Sequence, residues 1–160
     1  MSGDAIIRAS WAGTAVFAVA ATAAAAVPDP LAAPVAVLDG ALFVAGCVAF
    51  LVAYARAVGR SREEAVSVAG VYFLAGSAPR DVQVRLLGAL GVQVAVAVVT
   101  ASIRLYTSLA FGILVPVYGL GLAGVWGAYH GTFPARPPRA GRPPRERRPP
   151  PAGRRGRTGR

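Results

Sequence analysis

The chain has no lysine, one cysteine, one histidine and one methionine, and its seven acidic residues face seventeen arginines. Each scarcity removes a class of chemistry. Cys47 stands alone in an apolar stretch, so it cannot close an internal disulfide or make a metal site without partners. It reads as a small buried hydrophobe. His130 has no cysteine or acid at ligand or triad spacing and reads as an interfacial residue. No nucleophile elbow, P-loop, HExxH or CxxC pair occurs. The expectation is a protein that is not an enzyme and holds no cofactor. The alternating pattern of barrel strands is missing as well.

What the sequence has in quantity is hydrophobic bulk, 55% of its 160 residues. This bulk falls into four near-continuous apolar blocks separated by prolines and arginines, where a soluble domain would alternate apolar and polar faces. Such blocks need lipid around them, and a backbone in lipid satisfies its own hydrogen bonds as helix. The predicted fold is therefore all-α: an integral membrane bundle of four transmembrane helices, a short interfacial helix and a disordered C-terminal tail.

After a short polar segment over residues 1–8, the first span runs over 9–27 and stops at Pro28-Asp29-Pro30. Ala24 and Ala26 resemble a signal-peptidase site, but Arg8 is offset by Asp4 and the apolar run is long, so a retained helix is expected. The second span covers 35–55 and carries Asp39 one turn inside its start. Residues 62–78 are too short an apolar run to cross comfortably and read as an interfacial helix, with Ser61 and Glu64 as a capping box. The third span covers 86–103. The fourth, 105–129, is twenty-five residues without a charge, about 37 Å as a helix, with Pro116 as a mid-span kink. Residues 133–160 are rich in proline and arginine, with nothing apolar to bury.

Charge gives the orientation. Ten arginines and one acid, Glu146, lie in the last 27 residues, so nearly all of the net +10 belongs to the tail. With four spans and both termini inside, sixteen arginines fall on the cytoplasmic side and only Arg104 outside. Trp11, Tyr54, Trp126 and Tyr129 then form an inner aromatic belt. The exclusive use of arginine reads as a coding bias rather than a demand for guanidinium chemistry.

Three constellations are candidates for function. Asp39 is costly inside a membrane, by about 2.5–3.5 kcal/mol at mid-bilayer, and is expected to pair with Arg104; the rival reading is a proton- or cation-coupling site. Gln93, Ala97, Thr100 and Arg104 share one face of the third span, as interhelical glue or, alternatively, a substrate path. Gly119, Ala123, Gly127 and Gly131 form a small-residue stripe for close packing against a helix of this chain or of a second copy. In the tail, Arg136, Arg139, Arg142, Arg145, Arg147 and Arg148 suit the lipid bilayer surface and its anionic headgroups. No aromatic residue interleaves the tail arginines, which argues against specific nucleic-acid binding.

The stretches SREEAVSVAGVYFLAGSAP (61–79) and TSLAFGILVPVYGLGLAGVWGAYHGTFPAR (107–136) resemble an uncharacterised family of small multi-pass integral membrane proteins of actinobacteria. That resemblance implies a bacterial inner membrane and carries over no activity and no functional residues. The expected role is a non-enzymatic accessory or assembly factor acting through a partner or homo-oligomer. A small transporter or channel subunit coupled through Asp39, or a holin-like pore former, is the alternative.

Overall fold

A computed structural model describes residues 2–103 and 108–136, with the backbone alone at 108–110. Its regular elements are all helical: α1 (Gly3–Ala26), α2 (Pro28–Arg60), α3 (Val68–Tyr72), α4 (Arg80–Ile103) and α5 (Pro116–His130), with a 3-10 segment at Ser108–Leu114 ahead of α5. Four stretches are long and apolar enough to cross a membrane: Gly3–Ala26, Pro28–Arg60, Arg80–Ile103 and Phe111–His130. The outward positions of α2 and α4 are apolar too, among them Val37, Leu51, Val84 and Ile103. Water would not tolerate such a rim, and lipid suits it.

Helices α1, α2 and α4 start earlier than the apolar blocks alone indicate. Ser2 caps α1 by accepting from the Ala5 amide at 3.4 Å, so the helix begins at Gly3 rather than at residue 9. Helix α2 begins before Pro34, although Asp29 and Pro30 are not helical themselves. Pro34 sits in the first regular turn, where the carbonyl it fails to reach belongs to the irregular Pro30. Asp39 consequently lies about 12 Å below Leu31, more than two turns in, rather than one. Polar Arg80–Arg85 likewise join α4.

The interfacial segment departs further from expectation. Only Val68–Tyr72 is helical, and its cap is Ser67, whose hydroxyl accepts from Gly70 N at 3.0 Å. Ser61 is instead the residue that closes α2, and Glu64 pairs with Arg60 at 2.7 Å, so the local capping box is not used. An ion pair with the residue four positions earlier has taken the carboxylate. After α3 the chain turns back through Leu74 at φ 58°, with Ala75 N donating to Ala69 O at 3.1 Å. Leucine is unfavourable in that left-handed conformation, and full burial of its side chain offsets the cost.

The fourth crossing is broken. The uncharged run does not form one kinked helix: Pro116 opens α5 at its first turn, which needs no proline N–H, and a 3-10 segment precedes it. Helix α5 is only 15 residues, about 22 Å. Residues 104–107, including Arg104, lie outside the described set.

Helices α2 and α5 make the tightest seam. A Cβ on Gly46 would stand 2.5 Å from Tyr118 N and 2.6 Å from its Cα, while Gly121 lies against the Gly46 carbonyl and Ala49. Only glycine permits that approach. Ile6, Leu74, Leu86 and Ala123 form the centre of the main core, and Phe17, Ala97 and Val115 a second cluster beside it.

Both ends of the described chain lie at the same end of the bundle. Gly3 packs on the Trp126 indole near the end of α5, and Thr132 N donates to Ser77 O at 2.9 Å. Residues 133–136 are ordered against the 60–65 turn, which corrects the tail boundary at 133. Ala65 N donates to Pro134 O at 2.8 Å and Arg136 N to Glu63 O at 2.9 Å. Residues 137–160, with Arg139, Arg142, Arg145, Arg147 and Arg148, lie outside the described set.

Candidate functional site

A seam of buried polar side chains crosses the middle of the bundle. Ser10, Thr14, Phe17 and Ala21 recur on one face of α1, and Leu86, Ala89, Gln93, Ala97 and Thr100 on one face of α4. The two faces meet, and Gln93 is fully buried between them. Its Nε2 donates to Thr14 Oγ1 at 2.7 Å, and Thr14 Oγ1 donates in turn to Ser10 O at 2.8 Å.

The other end of the Gln93 amide explains why the residue is there. A helix that begins inside an apolar slab exposes amide groups that no water can satisfy. Pro116 has no N–H to satisfy. Tyr118 N donates to Val115 O at 2.8 Å, and Gly119 N donates to Gln93 Oε1 at 3.2 Å. Gln93 is therefore the side-chain cap of α5, supplied from α4. Gly119 must be glycine for this: a Cβ there would stand 2.5 Å from Gln93 Oε1. Tyr118 adds a third tie, donating from its hydroxyl to Ala9 O at 2.9 Å, with its ring against Gly13. Thr100 is buried on the same face as Gln93, but its hydroxyl donates back to Val96 O at 2.8 Å. It bonds its own helix and, among the described residues, bridges to no other.

Asp39 sits beyond this bridge. It is 1% exposed, and its Oδ1 has no hydrogen-bond partner. Its neighbours are the break and α1: a Cβ on Gly112 would lie 3.4 Å from Asp39 Oδ2 and 3.4 Å from Phe17 Cε2. Among the described residues no ion pair reaches Asp39, and its expected partner Arg104 lies outside them. Among the described residues, Ser10 Oγ is the other buried polar side-chain atom without a partner. Phe17, fully buried, separates the level of Asp39 from that of Thr14.

The small-residue stripe of α5 has partners within the chain. Gly119 faces Gln93, Gly127 lies against the Val71 backbone, and Ala123 is fully buried. Gly131 is not part of the helical stripe; it is the C-cap of α5, with its N–H donating to Gly127 O at 3.0 Å. A second set, Gly121 and Gly124, faces α2 and Tyr72. The spacing of four makes the first set legible in the sequence, whereas the second, at a spacing of three, carries no such signal.

At the loop end, Arg60 holds the chain together. Its Nε donates to Glu64 Oε2 at 2.9 Å, Nη1 to Ala128 O at 3.0 Å and Nη2 to Gly131 O at 2.9 Å, while its guanidinium lies 5.1 Å from the Phe133 ring. It thus satisfies the free carbonyls at the end of α5. Arg136 Nη1 donates to Ser61 O at 2.8 Å, which ties this exposed arginine to the end of α2. Trp126 is turned inward and stacks on His130 at 5.4 Å, which removes it from the aromatic belt; Trp11, Tyr54 and Tyr129 remain exposed.

Among the described residues, no three His, Cys, Asp or Glu side chains stand together as a metal site. Comparison of the chain with protein-family models, with curated proteins and with solved structures finds no match.

Proposed function

We propose that the protein is a non-enzymatic accessory or assembly factor of a bacterial inner membrane, related to the small actinobacterial membrane proteins it resembles. It crosses four times with both termini cytoplasmic. The use of Gln93 carries this proposal: the one long polar side chain at the centre of the bundle is spent on both α1 and α5, locking helices together instead of lining a path. The excess of arginine at the end of the bundle that holds Ser2 and Arg136 supports the orientation. Affinity purification of the full chain in mild detergent tests the role. A stoichiometric membrane partner, lost with Gly40→Trp or another change on the outward face but retained in Cys47→Ala, is expected. Recovery of the chain alone from membranes at native abundance would count against it.

A second reading is kept because of Asp39. A buried carboxylate with an unpartnered oxygen, set beside a broken crossing, is the arrangement that ion-coupled carriers use. In proteoliposomes, a proton or cation flux abolished by Asp39→Asn at unchanged abundance would establish coupling and displace the accessory role.

A further inference from the structure

An apolar groove of about 310 Å³ opens on the side of the bundle between α2 and α5, with Ile6 of α1 reaching into it. Its α2 wall is Ala45, Val48, Ala49 and Val52, of which Ala45, Ala49 and Val52 follow one helical face, and its α5 wall includes Leu122 and Val125. Tyr129 and His130 close it at the loop end. The next position on that face of α2 is Arg56, whose guanidinium lies over the Tyr129 ring at 5.2 Å. We propose that this groove holds one acyl chain of a phospholipid whose anionic headgroup is bound by Arg56.

Three observations point to that occupant. The first is length. From Ala45, at the middle of α2, to Arg56 is about 16 Å along the helix, half of a hydrocarbon core of about 30 Å and so the depth of one leaflet. The second is polarity along the groove. Its deep end is purely aliphatic, and its polar groups, Tyr129 and His130, gather at the end where a headgroup would lie. The third is the state of Arg56. Arg60, one turn later, spends its donors on Glu64, Ala128 and Gly131, whereas Arg56 makes no hydrogen bond or ion pair among the described residues. An exposed guanidinium fixed over an aromatic ring at the interface offers its fork of donors to a phosphate. A second notch is lined by Thr22, Ala95, Val96, Val99 and Thr100, with no arginine or aromatic ring among its lining residues, and serves as the internal control.

The test is native mass spectrometry of the full chain after reconstitution with equal phosphatidylglycerol and phosphatidylcholine of matched acyl chains. One retained phospholipid per chain is expected, with phosphatidylglycerol favoured about fivefold, the factor that corresponds to about 1 kcal/mol for one arginine near a surface. Arg56→Gln, which gives up the contact with the exposed Tyr129 ring but no hydrogen bond or ion pair among the described residues, should keep the lipid and lose the preference. Val48→Trp, at the groove rim, should abolish retention, and Val99→Trp, at the control notch, should leave it intact. Retention unchanged in Val48→Trp, or a fivefold preference surviving in Arg56→Gln, would overturn the proposal.

Discussion

Replacing Gln93 by methionine keeps the side chain's length and volume and removes both of its hydrogen bonds. Two losses follow. The Gly119 N–H, at the start of α5, is left buried without an acceptor, which costs about 1–3 kcal/mol. The Thr14 hydroxyl loses the amide it accepts from, worth about 0.6–1.7 kcal/mol between membrane helices, although it still donates to Ser10 O. Gln93→Met should therefore cost about 2–4 kcal/mol. Unfolding in mixed micelles titrated with a denaturing detergent, followed by circular dichroism, measures this. Thr14→Val removes only the α1 half of the bridge, so the double variant should cost less than the sum of the two by the energy of their shared bond. A loss below about 0.5 kcal/mol for Gln93→Met would refute the idea that Gln93 caps a helix starting inside the membrane, and strict additivity with Thr14→Val would refute its bridge to α1.

The α2–α5 seam makes Gly46→Leu costly, by about 3 kcal/mol, because backbone obstructs the new Cβ on the Tyr118 side; Gly40→Ala, with nothing within 4 Å, should instead gain up to about 1 kcal/mol in the same unfolding assay. Arg60→Leu should free the ends of α5 and the 60–65 turn, seen as faster hydrogen exchange at the Ala65 and Arg136 amides, whereas Glu64→Gln should change stability by less than about 1 kcal/mol. Gly127→Leu should displace the α3 segment from α5 and expose Tyr72 to quenchers without altering the oligomeric state, since its neighbour is the Val71 backbone of the same chain. Tyr118→Phe should cost about 0.5–1.5 kcal/mol through the lost bond to Ala9 O.

The number and order of the crossings were legible because they depend on long apolar runs, and lipid imposes helix on any such run. The faces of the helices were partly legible. Gln93, Ala97 and Thr100 do share a buried face of α4. The matching face of α1, with Ser10, Thr14 and Phe17, shows the same period and could have been found from it. Other features resisted because they are decided between elements. The uncharged run 105–129 reads as one helix, since hydropathy does not register that Gln93 offers a cap to a helix opening at Pro116. Ser61 and Glu64 have the spacing of a capping box, yet Arg60 claims the carboxylate because it can also reach the carbonyls of Ala128 and Gly131. Proline and arginine after Phe133 suggested a free tail from that residue on. The backbone of 63–65 offers unpaired groups that hold it until Arg136.

The crossing scheme is tested most directly by sidedness. In a Cys47→Ala background, single cysteines introduced as Ser2→Cys, Asp29→Cys and Arg136→Cys are exposed, in sealed vesicles, to a maleimide that cannot pass the bilayer. Ser2→Cys and Arg136→Cys should react from the cytoplasmic face and Asp29→Cys, at the α1–α2 turn, only from the opposite face. Reaction of the first two from opposite faces, or of all three from one, would contradict a four-crossing bundle with its described ends together.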